Sequence, residues 1–278
     1  TKKFAAAAPE NADKLFNCGI AEQNMIDVAA GLALTGHVAY TGSFAVFGTG
    51  RAYDQIRNTV CYSNLDVKIC PTHAGVSVGP DGGSHQMLED ISLMRGLPNM
   101  RVLVPADYAA ARAAIKLAAK TPGPVYVRMG RAAVPCVYDD DVELEIGRAY
   151  VLREGSDATV VACGVEIREA LAAADMLAEE GVSIEVIDAF SVKPLDEDAI
   201  TASVAKTGCC VVAEEHSVHG GLGSAVAECL ARKNPAPCEF VGVQDRFGKS
   251  GEFEELLGYF NLDAAAIVEA VKRAMGRK

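Results

Sequence analysis

The sequence contains no stretch of about 18 uninterrupted apolar residues, the length that a membrane-spanning helix needs, although half of its 278 residues are apolar. Basic residues are also scarce, because 26 lysines and arginines face 37 aspartates and glutamates, for a net charge of −11. Nucleic acids and anionic membranes bind proteins through basic surfaces. We therefore expect a soluble globular protein whose partners are neither nucleic acids nor membranes.

Export signals and paired cysteines are missing as well. The basic start Thr1-Lys2-Lys3 is followed by an apolar run shorter than the ~7 residues of a signal-peptide core, and Pro9 ends it. The nine cysteines form no C-x-x-C pair, and most lie in apolar, strand-like runs (Cys70, Cys163, Cys209, Cys210). This pattern predicts a cytoplasmic protein with reduced thiols and neither a zinc site nor a disulfide framework.

The sequence does contain a regular alternation of short apolar runs and helical patterns. Strand-like runs at 38–41, 67–71, 102–105 and 125–128 are separated by helical patterns at 50–61, 85–95 and 108–119. Further runs at 159–163, 184–187 and 209–213 are separated by helical patterns at 166–180 and 196–206. The predicted fold class is therefore α/β with two domains, each a mainly parallel sheet flanked by helices.

A charged connector divides the two predicted domains. It runs from Pro135 to Gly147 and contains Asp139-Asp140-Asp141. We place the first domain at residues 1–135, the linker at 136–148 and the second domain at 149–278. The first domain lacks a recognisable opening helix and strand.

Glu22 stands at the start of a predicted helix. The apolar series after it places Met25, Val28, Ala29 and Leu32 at helical spacing, with small or apolar residues between them, which favours a buried helix. A carboxylate in the first turn can simply stabilise the helix N-terminus. Apolar surroundings also predict a raised pKa for this carboxyl group, which would suit it to proton transfer.

The residues ahead of Glu22 predict where that helix begins. Phe16-Asn17-Cys18 is typical of a strand end, and Gly19 permits a tight turn into the helix. This arrangement would place Glu22 at the carboxyl edge of a sheet, where open α/β folds build their sites.

Histidines follow two of the predicted strands, in a chain that has five. His73 closes one strand, and a glycine-rich loop that contains Asp81 leads to His85. Because imidazole and carboxylate groups at the carboxyl ends of strands are frequent in active sites, these residues predict a site. Arg131 ends the last strand of the first domain, where it could pair with a surface carboxylate or bind a phosphate.

The order GIAEQN, SFAVFGTGRAYDQIRN and THAGVSVGPDGGSHQ closely resembles the pyrimidine-binding domain of transketolases. The later EEHSVHGGLGSAVAE resembles the C-terminal domain of the same family, so the resemblance covers nearly the whole chain. It implies a transketolase that uses thiamine diphosphate to move a two-carbon ketol unit from a ketose phosphate to an aldose.

The resemblance assigns cofactor contacts to three residues. The residue matching Glu22 hydrogen-bonds the N1′ nitrogen of the aminopyrimidine ring and favours the imino tautomer, which deprotonates C2 of the thiazolium. Phe44 and Phe47 match aromatic residues that stack on or flank the pyrimidine ring, although a pair of phenylalanines is also ordinary core packing. A third aromatic residue of the family has no counterpart at Gly48 to Gly50.

The resemblance also assigns substrate contacts. His73 matches a residue that contacts the sugar phosphate, Asp81 and His85 match residues at the sugar oxygens near C2, and Arg131 matches a phosphate ligand. Together with Glu22, His85 is the expected catalytic residue. The family carries a further N-terminal segment, with another arginine and a serine for the phosphate, so the chain is expected to be truncated or processed.

The family binds the cofactor diphosphate through Mg²⁺ with a GDG sequence and a later asparagine, and this chain has no such pair. The resemblance therefore implies no metal site in this chain, a separate N-terminal, diphosphate-binding subunit that holds Mg²⁺, and an α₂β₂ assembly. The alternatives are a deoxyxylulose-phosphate synthase, the β subunit of a 2-oxo-acid dehydrogenase, and a non-catalytic regulatory module of the same fold. The Thr72-His73 pair and the GPDGGSHQ loop favour transketolase over the two enzymes.

Overall fold

The computed structural model describes residues 8–278, so the basic start Thr1-Lys2-Lys3 lies outside the described residues. Two five-stranded sheets form the frame. The first has the order β1-β2-β4-β3-β8, with strands Ala39–Thr41 (β1), Val67–Ile69 (β2), Arg101–Leu103 (β3), Val125–Val127 (β4) and Ser191–Lys193 (β8). The second has the order β10-β9-β6-β7-β5, with strands Tyr150–Arg153 (β5), Ala158–Ala162 (β6), Ile184–Asp188 (β7), Cys210–Ser217 (β9) and Cys238–Val243 (β10).

All pairings are parallel except those of the edge strands β8 with β3 and β5 with β7. The principal α-helices are Glu22–Leu34 (α1), Asp90–Arg95 (α2), Tyr108–Lys120 (α3), Glu166–Glu179 (α4), Glu197–Thr207 (α5), Leu222–Lys233 (α6), Phe253–Phe260 (α7) and Ala264–Met275 (α8). The predicted α/β class with two mainly parallel sheets is confirmed.

A bent helical segment follows β1. It consists of Val46–Arg51, Tyr53–Gln55 and Ile56–Cys61, of which the first and third pieces are wound as π-helices. Short 3₁₀ segments lie at Pro9–Lys14 and Val76–Asp81. Among the described residues, no helix is both long and apolar enough to cross a membrane.

The apolar strands explain how the core forms. All five residues of β6 are buried, as expected for a central parallel strand that is covered on both faces. One buried cluster joins Ile56 and Val102 of the first domain to Val161 and Val212 of the second. The two domains are therefore packed against each other across a shared apolar interior.

Three local predictions were wrong. Residues 16–18 form no strand. The helix predicted from residue 85 begins at Asp90, because Met87 is still bridged to Ala74 in an extended conformation. Helix α1 is buried on one face only, and Leu34 at its end is 74% exposed.

Strand β8 is a further difference from the sequence-based picture. It lies within the range predicted for the second domain, yet it pairs with β3 and completes the first sheet. The chain therefore crosses back to the first sheet between β7 and α5.

Candidate active site

Glu22 is the first residue of α1, and only 6% of its surface is exposed. Its carboxylate accepts hydrogen bonds from Ser43 Oγ at 3.3 Å and from Arg51 Nη1 at 2.7 Å. Ser43 follows β1, and Arg51 ends the first piece of the bent helical segment. The carboxylate therefore lies at the carboxyl end of β1, although none of the described residues ahead of α1 forms a strand.

The ionisation of Glu22 differs from the expectation. Burial acts to raise its pKa, but hydrogen bonds from Arg51 and from its own backbone N–H, together with the positive charge of Arg51, lower the pKa below its ordinary value. The prediction of a raised pKa was therefore wrong for this chain, because it took account of apolar neighbours and not of a guanidinium group. Glu22 is a carboxylate at neutral pH.

Two aromatic rings lie beside this ion pair. Phe44 and Phe47 are half-buried, and their ring centroids are 6.3 Å apart with an angle of 15° between the ring planes. The Arg51 guanidinium carbon lies 4.5 Å from the centroid of the Phe47 ring, within the range of a cation–π interaction. Because core packing alone would bury both rings, their partial exposure indicates a role at the surface.

His73 stacks directly on Phe44. The ring centroids are 3.8 Å apart and the planes are 10° from parallel. His73 has a positive φ of 64°, unusual for a residue with a side chain, and its Nδ1 lies 2.7 Å from Thr72 Oγ1. Burial, followed by the positive charge of Arg131, lowers the His73 pKa, so the ring is neutral at pH 7.

His85 approaches the same aromatic rings edge-on. Its centroid is 5.4 Å from that of Phe47 and 6.1 Å from that of Phe44. Its Nδ1 lies 3.0 Å from Ser84 Oγ. The two histidines therefore meet at one pair of phenylalanine rings, although they are separated by the 3₁₀ segment in the chain.

Asp81 and Arg131 form the outer part of this group. Their charged atoms are 3.9 Å apart, with side chains 44% and 43% exposed respectively. Arg131 also donates a hydrogen bond to the carbonyl oxygen of Val78. The positive charge of Arg131 lowers the His73 pKa and the negative charge of Asp81 raises it, so the pair lies within electrostatic range of that imidazole.

These residues form two faces that meet where His73 stacks on Phe44. The Glu22 face consists of Glu22, Ser43, Phe44, Phe47 and Arg51. The His73 face consists of His73, Asp81, His85 and Arg131. Every residue predicted from the sequence thus belongs to one connected constellation.

Sequence reasoning missed Ser43 and Arg51. Phe47 and Arg51 are four residues apart, the spacing that brings two side chains together on a helix. That spacing could have indicated the cation–π contact. The ion pair with Glu22 joins residues from two different elements and has no such local signal.

The constellation offers a carboxylate, two aromatic faces, two imidazoles and an exposed guanidinium. Within residues 8–278, no group of three or more His, Cys, Asp or Glu side chains is placed to hold a metal ion. The described site can therefore bind a flat heteroaromatic ring and polar oxygens, and it offers no cluster of metal ligands.

Comparison with protein families identifies this arrangement. A family model of the transketolase pyrimidine-binding domain matches residues 1–137, and one of the transketolase C-terminal domain matches residues 147–267. The chain belongs to the transketolase family. The resemblance inferred from the sequence is confirmed, and this family depends on thiamine diphosphate.

A solved structure described as a split gene transketolase, an inactive β4 tetramer, resembles this chain with a TM-score of 0.90 and 48% identity. The match covers 100% of this chain and 88% of the other. A 6-deoxy-6-sulfo-D-fructose transketolase subunit from Clostridium sp. (strain MSTE9) is 42% identical, over 100% of this chain and 85% of that protein. Transketolase from Homo sapiens is 37% identical over 95% of this chain, which spans 42% of the human protein.

Proposed function

We propose that this chain is the pyrimidine-binding subunit of a split transketolase, which moves a two-carbon ketol unit from a ketose phosphate to an aldose. The observation that carries the proposal is the Glu22 carboxylate beside the half-buried rings of Phe44 and Phe47. A carboxyl group next to stacked aromatic faces suits a flat ring with a basic nitrogen at its edge. The aminopyrimidine of thiamine diphosphate has both features.

When bound, thiamine diphosphate supplies a nucleophilic carbon that adds to carbonyl groups. Glu22 holds a proton at the N1′ nitrogen of the aminopyrimidine, and Phe44 and Phe47 orient its ring. Displacement of Arg51 would remove the hydrogen bond and the positive charge that lower the Glu22 pKa, so that the carboxyl group can take up the proton that it shares with N1′. Because Arg51 lies over the face of Phe47, its side chain has to move before a ring can stack there.

The His73 face would bind the sugar. The imidazole N–H groups of His73 and His85 can donate hydrogen bonds to sugar oxygens, and His85 can pass a proton to an oxygen that gains charge. Asp81 accepts a hydrogen bond from a sugar hydroxyl. The planar guanidinium of Arg131 matches a pair of phosphate oxygens.

The diphosphate end of the cofactor would find no cluster of acidic metal ligands among residues 8–278. Mg²⁺ requires several oxygen ligands, and the described residues have no cluster that could provide them. A second, diphosphate-binding subunit would hold Mg²⁺ and the diphosphate, in an α₂β₂ assembly where this chain also pairs with itself. The exposed apolar residues Ile20, Leu34 and Tyr62, at 93%, 74% and 87% exposure, support such contacts.

Reconstitution tests this function. The chain is combined with a diphosphate-binding transketolase subunit from the same genome, thiamine diphosphate, Mg²⁺, a ketose phosphate and an aldose phosphate. We expect mass spectrometry to detect an aldose phosphate shorter by two carbons and a ketose phosphate longer by two, only when both subunits are present. In a parallel assay with pyruvate as the donor, its consumption with release of CO₂ would indicate a synthase or dehydrogenase instead. A complex that binds the cofactor but turns over no donor would indicate the regulatory module.

A further inference from the structure

We propose that Glu215 is a positioning residue, through which the second domain holds the loop that carries His73. The inference rests on the proposed function, because the position of His73 matters for catalysis only if this residue contacts the substrate. It assigns the second domain a part in the active site although none of the predicted site residues lies there.

Glu215 lies near the end of β9 and is 2% exposed. Its carboxylate accepts hydrogen bonds from the backbone N–H of Ser77 and from Ser77 Oγ, the latter at 3.2 Å. Ser77 belongs to the 3₁₀ segment Val76–Asp81, four positions after His73. The carboxylate therefore reaches from the second sheet to the loop of the first domain.

Gly75 shows how closely the loop and the carboxylate are packed. A Cβ atom at this position would overlap the Glu215 carboxyl group, and Gly75 has a φ of 80°, which residues with a side chain rarely adopt. Only Ala74 separates Gly75 from His73. The backbone N–H of Ala74 donates a hydrogen bond to the Met129 carbonyl oxygen at 3.2 Å, and that of Gly75 donates one to the Met87 carbonyl oxygen at 2.8 Å. Because a single residue separates Gly75 from His73, we expect a displacement of Gly75 that breaks these hydrogen bonds to move His73 as well.

The end of β9 is itself firmly attached to the first domain. Arg128 donates a hydrogen bond to the Glu215 carbonyl oxygen and another to the Asp90 carboxylate, both at 2.8 Å. Ser217 N–H donates to the Leu88 carbonyl oxygen, also at 2.8 Å. Because its backbone is held on both sides, Glu215 is a fixed support rather than a group that follows the loop.

The neighbouring Glu214 provides a natural comparison. It is also 2% exposed, but its carboxylate accepts hydrogen bonds from Leu222 N–H at 2.7 Å and Gly223 N–H at 2.8 Å. These two groups open α6, so Glu214 stabilises a helix of its own domain. The two adjacent buried glutamates therefore have different partners. Glu214 binds a helix within the second domain, and Glu215 binds the loop of the first domain.

The test follows the imidazole signals of His73 by NMR in the chain alone. Five histidines keep the spectrum simple, and His73→Gln identifies the signal. In Glu215→Ala we expect the His73 ring protons to lose at least half of the shift caused by stacking on Phe44, and the His73 pKa to rise toward its ordinary value. Glu215→Gln should restore both, since an amide oxygen can accept from Ser77 N–H. Glu214→Ala should lower the melting temperature and leave the His73 signals in place.

A second variant approaches the same contact from the loop. Gly75→Ala should displace the His73 signals, and should displace them less in the Glu215→Ala background, because space is then available for the added methyl group. Gly75→Ala by itself still tests the contact if Glu215→Ala folds poorly. Unchanged His73 signals in both single variants, or an equal change in Glu214→Ala, would overturn the proposal.

These measurements need neither cofactor nor partner, so their failure is distinct from failure of the proposed function. In the reconstituted enzyme, Glu215→Ala should lower kcat/KM by up to ~10²-fold through misplacement of a reacting group, with cofactor affinity unchanged. If Glu215→Ala displaces the His73 signals but the wild-type complex has no transketolase activity, the proposed function is refuted and the positioning role is kept. If the wild-type complex is active but the His73 signals do not move in Glu215→Ala, the positioning role is refuted and the proposed function is kept.

Discussion

The two faces of the candidate active site are held in different ways. The hydrogen bonds of the Glu22 face run from Ser43 and Arg51 to Glu22 and stay within the first domain. The His73 face rests on the second domain, where Glu215 accepts from Ser77 and the Lys249 carbonyl accepts from the Gln86 side chain at 2.9 Å. One face is therefore self-contained, and the other depends on packing between domains.

The carboxyl groups behind the two faces also differ in ionisation. Arg51 keeps the pKa of Glu22 below its ordinary value despite burial, whereas burial raises the pKa of Glu215 to about 7. A carboxylate paired with a cation stays charged, and one enclosed in the interior is inclined to hold a proton. The ionised Glu22 carboxylate is therefore suited to chemistry that depends on its charge, and Glu215 is suited to structural support.

The largest effect should come from Glu22→Gln. The amide cannot give up a proton to N1′, so turnover of the reconstituted enzyme should fall by ~10²–10⁴-fold while the fold persists. The matched control is Asp27→Asn, the same change at an exposed position of α1, which should leave activity unchanged. Steady-state rates near wild type for Glu22→Gln would remove this residue from the proposed chemistry.

The second effect concerns stability and pH. Burial raises the pKa of Glu215 from 4.5 to about 7 and that of Asp188 from 3.8 to about 7. Because the folded state binds these protons more tightly, stability is highest below the ordinary values and is lost as pH rises through about 7. For Glu215 alone the loss should be about 3 kcal/mol, since each pKa unit is worth about 1.4 kcal/mol.

Urea denaturation between about pH 5 and pH 8 measures this loss. Glu215→Gln should remove the share of this loss that Glu215 causes, since an amide does not titrate, and leave the share of Asp188. Glu22 acts in the opposite sense, because its contribution is present above the ordinary pKa and is lost as pH falls through the lowered one. A profile that rises steadily with pH would contradict the account of the second domain.

A smaller effect is expected for Arg131→Ala. Loss of a charged hydrogen bond to phosphate should raise KM for phosphorylated sugars roughly tenfold, with kcat nearly unchanged, because the phosphate is bound alike in ground and transition states. Non-phosphorylated acceptors provide the internal control. Equal losses for both kinds of acceptor would show that Arg131 has another role.

The smallest effect should follow Arg51→Ala. Its ion pair is partly exposed, with 41% of the arginine side chain accessible, so stability should fall by less than about 1 kcal/mol. The Glu22 pKa, followed by carboxyl NMR, should rise. Arg57→Ala, at an exposed position further along the same helical segment, should change neither property. An unchanged Glu22 pKa in Arg51→Ala would show that Arg51 does not lower the pKa of this carboxyl group.

The sequence predicted what local patterns control. The buried runs of β2, β4 and β6 and the helix α3, whose Asp107 accepts a hydrogen bond from Ala110 N–H at 2.8 Å, lie close to the predicted ranges. Strand β8 was missed because Ser191–Lys193 contains a single apolar residue and so lacks the apolar run that marks β2 and β4, and only its pairing with β3 defines it.

In the candidate site, too, local patterns predicted some features, and contacts between distant parts of the chain determine the others. Most of the predicted residues lie together because they follow strand ends that meet at one edge of the first sheet, and Glu22 reaches the same edge from the start of α1. The contacts of Arg51 with Glu22 and of Glu215 with Ser77 join distant parts of the chain, so no local pattern marks them. The wrong pKa direction for Glu22 has this origin, because the deciding neighbour comes from another element.

The central claim is that this chain supplies one wall of a thiamine diphosphate site and a second subunit supplies the other. Calorimetric titration tests it most directly, with thiamine diphosphate and Mg²⁺ added to the chain alone and then to its complex with a diphosphate-binding transketolase subunit. We predict no binding tighter than millimolar for the chain alone and micromolar binding for the complex. Micromolar binding by the chain alone would contradict the account.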